Sequence, residues 1–484
     1  MQHEIVLGTA FFVLRRITTA IYGSRMTSKP WWREPTRAQW AAFAASWTGW
    51  VLDAIDFMVY VLVMKQLAAE FGVGLAAVSG SLTLTLLVRL LGGAVAGWMA
   101  DRWGRKVPLL ISVFAFVAFD GAIYFSHSFT AILIFRTLFG FAMGAQWTAG
   151  TALAMESMPP RTRKIASGIL QAGWPIGVMI AAGAGILIIG DHGWRPMFLV
   201  GVIPALLTLP LWFMFPNTKP APRIATAKRS AIKELATPGV PRMLVIGALI
   251  MSLGFIVYYG LQTQYVYLLL TELKLSPSSA MAHVMLFNAG MLVGCIAAGA
   301  VAARRGVIVA LVVPALLMVP ALPFYVGWIH GPVALAVGAV LGGAFGVGYS
   351  GVTPVLTTSL FPEHVRARAI GLVYHVGAFV AAFVPSLIPW LVSSTHWHLS
   401  TVMVIVVGAA LVLMSAAILV LRGFIEPPSD APSARITLEP AAAPRDTDGD
   451  DDANRPAARE LHPVANAIVD REVAKAAERR AILG

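Results

Sequence analysis

Two aspartates, Asp53 and Asp56, stand within a long apolar run near the beginning of the chain. They are three residues apart, so a helix places them on one face, where neighbouring carboxylates in a low-dielectric cavity do not both ionise cheaply. Ionisable groups inside apolar spans are functional candidates. We therefore predict that Asp53 or Asp56 binds and releases a proton, and His375 is an alternative proton site because imidazole titrates near neutral pH. The structural alternative is that the aspartates pair with Arg89 or Arg136 to keep the helices neutral and that His375 serves helix packing.

Arg136 is the residue best suited to attract an anion, because its guanidinium can hold a carboxylate by two parallel hydrogen bonds. An equally weighted alternative makes it a fixed partner of Asp53, Asp56 or Asp120. Amide and aromatic side chains in other apolar runs can orient a carboxylate or hydroxyl across a cavity, although the aromatic ones also serve packing. The predicted substrate-contacting residues are Arg136, Gln146, Trp147, Gln171, Gln262, Asn288 and Tyr374.

A dense polar turn, Gly97 to Lys106, separates two apolar runs in a chain that is only 12% charged. Ionised side chains at bilayer depth cost at least about 2.5 kcal/mol each, so this turn lies outside the hydrocarbon. Glu156 ends a later apolar run beside basic residues, which favours a gate ion pair over substrate contact. The residues predicted to form this gate, called the latch below, are Gly97, Asp101, Arg102, Gly104, Arg105, Lys106, Glu156, Arg163 and Arg366.

The apolar runs that carry these residues are each about as long as the ~20 residues that a helix needs to cross a bilayer. They cover residues 40–64, 78–100, 107–125, 129–154, 164–189 and 196–215, then 243–270, 279–302, 307–328, 333–360, 367–392 and 400–421. We predict an all-α integral membrane protein of twelve transmembrane helices. Its predicted parts are a cytoplasmic N-terminal segment (1–39, of which 1–25 is an extension or a misassigned start), a six-helix bundle (40–215), a cytoplasmic loop (216–242), a second six-helix bundle (243–421) and a disordered cytoplasmic tail (422–484).

Composition excludes several classes of protein. The chain is 58% hydrophobic and carries a formal charge of +12, but its basic residues sit in short turns, where they follow the positive-inside rule instead of forming a face for nucleic acid. The basic turns, the central loop and both termini are therefore predicted to be cytoplasmic. The single cysteine, Cys295, allows no internal disulfide, and the scattered histidines show no ligand spacing. We predict no metal site, no cofactor and no enzyme activity.

The sequence repeats itself weakly between its two halves. Pro159, Arg163 and Gly168 recur as Pro362, Arg366 and Gly371 at a constant offset of 203 residues, with Ser359 at the position of Glu156. Gly97 and Gly104 recur as Gly299 and Gly306 at an offset of 202. Parallel halves are the architecture of transporters whose substrate site lies between the repeats near the bilayer midplane.

Two motifs resemble the major facilitator superfamily. The run Gly97-x-x-x-Asp101-Arg102-x-Gly104-Arg105-Lys106 matches the loop between that superfamily's helices 2 and 3, and Arg136-Thr137-Leu138-Phe139-Gly140 matches its helix 4 signature. Segments 49–57, 154–160, 167–173 and 193–198 further resemble the group of sialate and lactate proton symporters. The resemblance covers roughly residues 36–425. It implies two pseudo-symmetric six-helix bundles that rock about a central site.

Four positions depart from that group's pattern, because Gln146, Thr263, Ala303 and Ser359 stand where the group carries acids. Without an acid at Ala303, the latch is expected to be asymmetric. The resemblance predicts proton-coupled symport of a small organic anion, first of all a monocarboxylate such as lactate or pyruvate, by a monomer in the bacterial inner membrane. The alternatives are an aromatic-acid or sialic-acid proton symporter and an organic-anion exporter.

Overall fold

The structure is a computed structural model that describes residues 30–208, 210, 213, 214, 235–362 and 365–425. These residues belong to one compact unit, Met1–Pro428. A second unit, Ser429–Gly484, lies outside the described residues, as do residues 1–29, which include the predicted extension, and residues 215–234 of the predicted central loop.

The first half of the described chain contains six helices. They are α1 (Arg37–Glu70), α2 (Leu75–Trp103), α3 (Lys106–Tyr124), α4 (Phe129–Ser157), α5 (Pro160–His192) and, after a 3₁₀ turn at Arg195–Phe198, α6 (Leu199–Thr208). Polar caps begin two of them. Thr36 and Gln39 form a reciprocal capping box at α1, and the Ser128 hydroxyl accepts from the Ala131 N–H at α4.

The second half contains six long helices and one short one. They are α7 (Val240–Glu272), α8 (Pro277–Arg305), α9 (Val307–Tyr325), α10 (Pro332–Leu360), α11 (Arg366–Thr395), α12 (Leu399–Val420) and α13 (Arg422–Ile425). Within the described residues, nine helices are long and apolar enough to cross a membrane, namely α3, α4, α5 and α7 to α12. With α1, α2 and the shorter α6, they make up the twelve helices predicted from the sequence.

The repeat seen in the sequence is also present in the backbone. Gly104 and Gly306, 202 residues apart, both end a helix at φ 94°, with ψ of 160° and 162°. Only glycine adopts this conformation without steric cost. Arg163 donates to the Met158 carbonyl, and Arg366 donates to the Phe361 carbonyl, each at 3.1 Å. The two arginines are 203 residues apart, and so are the two carbonyls. The two halves therefore share local geometry at the ends where the predicted latch lies.

Helix α10 is interrupted in its middle. A π-helical turn over Gly342–Val347 and a 3₁₀ turn over Gly348–Val352 separate two α-helical pieces. Such turns shift the helical phase and often mark functional positions. Here they bring Tyr349, Ser350 and Thr353 to the wall of a central cavity.

Small residues let helices of the two halves cross closely. A Cβ added at Gly168 of α5 would lie 2.4 Å from the Cys295 carbonyl oxygen of α8, and one added at Gly97 of α2 would lie 2.9 Å from the Arg368 Cα of α11. At these crossings the two halves are in close contact at the latch end of their interface. The cavity lies further along the same interface.

Candidate functional site

The candidate site is a central cavity between the two halves whose wall is largely apolar and rich in aromatic side chains. Six helices supply its rings: α1, α5, α7, α10, α11 and, behind the wall, α4. The aromatic residues on the cavity are Trp50, Phe57, Trp174, Phe255, Tyr258, Tyr259, Tyr349, Tyr374 and Phe379. Polar groups are few and include Arg89, Gln171, Ser350, Thr353 and His375. An apolar cavity with a few converging polar groups is the usual form of a small-molecule site.

Asp53 and Arg89 form an ion pair at the edge of this cavity. Arg89 Nη2 donates to Asp53 Oδ2 at 2.8 Å, and both side chains are buried. Arg89 lines the cavity, and its guanidinium carbon lies 5.7 Å from the centre of the Tyr374 ring. Asp53 Oδ1 and Arg89 Nε have no hydrogen-bond partner among the described residues. The pair therefore keeps unused donor and acceptor capacity beside the cavity.

Asp56 belongs to a different ion pair, which does not line the cavity. Arg136 Nη1 donates to both carboxylate oxygens of Asp56 at 2.8 Å, and the Arg136 guanidinium lies over the rings of Tyr60 and Phe139 at 4.4 and 4.8 Å. Asp120 of α3 interacts electrostatically with both members of this pair. The structure thus assigns one arginine to each aspartate of α1, and it places Arg136, the predicted anion site, away from the cavity wall.

The other predicted substrate contacts differ in their distance from the cavity. Gln171 and Tyr374 line it, as does His375, the alternative proton site. Trp147 lies directly behind the wall, with its ring stacked on Tyr374 at a centroid distance of 4.1 Å. Gln146, Gln262 and Asn288 are not among the lining residues: the Gln146 amide donates to Ser112 Oγ at 2.6 Å and the Asn288 amide to the Val284 carbonyl at 2.8 Å.

Trp50, Trp174 and Tyr258 line the cavity but are absent from the prediction. Trp50 precedes Asp53 by three residues, and Trp174 follows Gln171 by three residues. Because residues three apart share a helix face, that spacing was a signal for both tryptophans. The Trp174 indole donates to the Tyr258 hydroxyl at 2.7 Å and thereby links the two halves across the cavity.

The latch is a network of buried and half-buried ion pairs at the closed end of the interface. Asp101 accepts from Arg105 at 3.0 Å and from Arg368 of the second half at 2.6 Å. Glu156 accepts from Arg105 at 3.2 and 3.3 Å and lies 3.4 Å from Arg366 of the second half. Two acids of the first half therefore hold two arginines of the second.

Sequence reasoning named Asp101, Arg105, Glu156 and Arg366 for this network but missed Arg368. The remaining predicted members lie around it. Gly97 packs on Arg368, Gly104 ends α2, Arg163 ties to its own chain at Met158, Lys106 is half-buried at the start of α3, and Arg102 is exposed with its guanidinium 5.7 Å from the Trp98 ring.

Each half is also tied at its opposite end. Glu70, beyond the predicted span of α1, pairs with Arg195 at 2.8 Å and accepts from the Trp194 indole. Partial burial opposes ionisation of Glu70, but the Trp194 hydrogen bond and the Arg195 guanidinium hold its pKa below the ordinary value. In the second half, the Glu272 carboxylate accepts from the backbone N–H and the hydroxyl of Ser400 at the start of α12.

Comparison with known proteins places this architecture in one family. The sequence matches the Major Facilitator Superfamily over residues 46–355 and 269–458. A cis,cis-muconate transport protein of Acinetobacter baylyi is 29% identical over 382 residues, which is 76% of this chain and 91% of that protein. The sialic acid transporter NanX of Escherichia coli is 25% identical over 409 residues, or 81% of this chain and 96% of NanX.

The fold is likewise shared with a solved structure. The proton:xylose symporter XylE superimposes with a TM-score of 0.67 over 80% of this chain and 96% of XylE, at 19% identity. Members of the family are transporters and not enzymes. The chain is therefore an integral membrane protein that belongs to the Major Facilitator Superfamily.

Proposed function

We propose that this protein carries a small organic anion across the membrane together with a proton. The observation that supports this most is the Asp53–Arg89 pair at the cavity edge. Among the described lining residues, Arg89 is the single arginine or lysine, so it is the group that would attract a carboxylate. Arg89 is held by Asp53 at 2.8 Å, so an arriving anion competes with an internal carboxylate for the same guanidinium.

Protonation of Asp53 would resolve that competition. The neutral acid no longer forms an ion pair with Arg89, so the substrate carboxylate can bind Arg89 by charge-assisted hydrogen bonds. The empty site, with Asp53 ionised, and the site loaded with one proton and one anion then have the same net charge. A site loaded with only one of the two carries an extra buried charge, which is costly in a low-dielectric interior. Only the empty and doubly loaded forms would reorient readily, and this couples the anion to the proton.

The aromatic wall favours a flat, unsaturated substrate over a small aliphatic one. Trp50 and Trp174 both line the cavity with their ring centres 4.9 Å apart, and these rings offer faces on which a planar acid packs. At about 25 cal/mol per Å², burying about 100 Å² of extra ring surface is worth about 2.5 kcal/mol. The muconate relative fits this preference. We therefore place an unsaturated or aromatic carboxylate first, and lactate, pyruvate or sialate second.

The latch end is proposed to face the cytoplasm of a bacterial inner membrane, since the basic turns gather there. With this end closed by the Asp101–Arg368 and Glu156–Arg366 pairs, the structure would represent an outward-facing or occluded state of a monomeric carrier.

Uptake into proteoliposomes tests the proposal. The purified protein is reconstituted, the outside is made acidic, and the accumulation of labelled benzoate, cis,cis-muconate, lactate and sialate is followed with and without a protonophore. We expect protonophore-sensitive accumulation that is strongest for the unsaturated acids. Arg89→Gln should abolish it, while Arg304→Gln at an exposed position should not. Uptake that ignores the proton gradient would contradict the coupling, and wild-type uptake by Arg89→Gln would contradict the anion site.

A further inference from the structure

We propose that the cavity contains a second polar site, formed by Trp50 and Gln171, that binds a hydroxyl group of the substrate. This inference rests on the proposed function and narrows its substrate class. The preferred cargo would be an unsaturated or aromatic carboxylic acid with a hydroxyl at the end away from its carboxylate.

The first observation is the indole of Trp50. Trp50 is only 4% exposed and lines the cavity, yet its Nε1 has no hydrogen-bond partner among the described residues. An indole N–H can only donate, and a buried donor without an acceptor costs about 1–3 kcal/mol. Trp174 on the same wall shows the contrast, because its indole is already engaged by the Tyr258 hydroxyl.

The second observation is the amide of Gln171. Gln171 is 8% exposed and lines the same cavity, and its Oε1 also lacks a partner among the described residues. Gln171 lies one helical turn before Trp174, whose ring centre is 4.9 Å from that of Trp50. A donor from α1 and an acceptor from α5, both on residues that line this cavity, are thus left without a partner among the described residues.

The Tyr374 ring is close both to Arg89 and to Trp50. The Arg89 guanidinium approaches Tyr374, and the Tyr374 ring centre is 6.4 Å from that of Trp50. A substrate whose carboxylate binds Arg89 would therefore extend along Tyr374 and present its far end to Trp50 and Gln171.

The chemistry of the two open groups selects a hydroxyl. A hydroxyl can accept from the Trp50 N–H and donate to the Gln171 oxygen at the same time. A substrate with a second carboxylate at this end would accept from the Trp50 N–H, but its negative oxygen would repel the Gln171 oxygen. A substrate with only a hydrogen atom there would leave both protein groups without a hydrogen bond. Sites built to hydrogen-bond a substrate hydroxyl discriminate strongly against the analogue that lacks it.

The test compares 4-hydroxybenzoate, benzoate and terephthalate in binding titrations of the detergent-solubilised protein and in proton-driven uptake. Wild-type protein should bind 4-hydroxybenzoate about 100-fold more tightly than benzoate, because each of the two buried hydrogen bonds corresponds to a factor of about 10. Trp50→Phe keeps an aromatic ring and removes the donor but leaves the Gln171 bond, so this ratio should fall to about 10. Gln171→Leu should have a similar effect on the ratio.

Trp174→Phe is the matched control, because it removes an indole N–H from the same wall that is already used by Tyr258. It should change the binding of both acids by the same factor. Equal affinity of the wild type for 4-hydroxybenzoate and benzoate, an unchanged ratio in Trp50→Phe, or tighter binding of terephthalate would overturn the hydroxyl site. Those results leave the proposed function standing if uptake follows the proton gradient, whereas failure of all three acids to bind or to be taken up would overturn the proposed function itself.

Discussion

Replacing Asp101 with asparagine is expected to open the latch end. Asp101 is bonded to Arg105 within its own half and to Arg368 across the interface, so only the second bond distinguishes the closed state from the open one. A hydrogen bond between charged groups contributes about 1.5–3 kcal/mol. Its loss should shift the equilibrium toward the open latch by a factor of about 10–150, since each 1.4 kcal/mol is about tenfold. Arg105 keeps Glu156 as a partner, which limits the general loss of stability.

The shift can be measured as a distance between spin labels at Ala38 and Arg304, which are exposed at the latch end of the two halves, in a Cys295→Ala background. Asp101→Asn and Arg368→Gln should each populate a longer distance, and the double variant should add little to either one. Ala303→Ser is the matched control, because Ala303 is the repeat equivalent of Asp101, carries no carboxylate and is exposed. The reasoning is refuted if Ala303→Ser shifts the distribution as much as Asp101→Asn, or if Asp101→Asn leaves it unchanged.

Two other sites carry predictions of their own. Gly168→Ala should slow transport and open the latch end, because its Cβ would lie 2.4 Å from the Cys295 carbonyl oxygen, while Gly183→Ala on the same helix, with no atom within 4 Å, should transport normally in the same uptake assay. Glu70→Gln should lower the melting temperature near neutral pH, and its difference from wild type should vanish in acid, because a carboxylate whose pKa is depressed by folding loses its stabilising contribution as the pH falls through that pKa. A difference that grew as the pH fell would contradict this account of the Glu70 pair.

The helices and the latch were predictable from sequence because both depend on local composition. Apolar runs give α3, Lys106–Tyr124, within one residue of the predicted bounds at each end. The offset of 202 residues leads directly to the shared backbone of Gly104 and Gly306. Charged residues in a short turn can pair only with groups near the same end of the helices. Four members of the latch network could therefore be predicted from the sequence.

The pairing inside the membrane was not predictable, because it depends on how each helix is rotated and where helices cross. Sequence left Asp53 and Asp56 equivalent, whereas the structure gives Asp53 to Arg89 at the cavity and Asp56 to Arg136 away from it. The sequence also did not determine which way the Asn288 side chain points. In the structure its amide donates to the Val284 carbonyl of its own helix. The π-helical turns at Leu268–Glu272 and Gly342–Val347 shift the helical phase locally. A prediction that assumes about 3.6 residues per turn throughout a helix does not include such shifts.

The central claim is that Asp53 carries the coupling proton beside the substrate's arginine, and Asp53→Asn tests it most directly. Asparagine imitates the protonated acid, so the variant should exchange labelled substrate for unlabelled substrate across the membrane but should no longer accumulate it against a gradient. Asp56→Asn, which disturbs a pair outside the cavity, should lower thermal stability without producing this separation of exchange from accumulation. Protonophore-sensitive accumulation by Asp53→Asn, or loss of coupling in Asp56→Asn alone, would contradict the account.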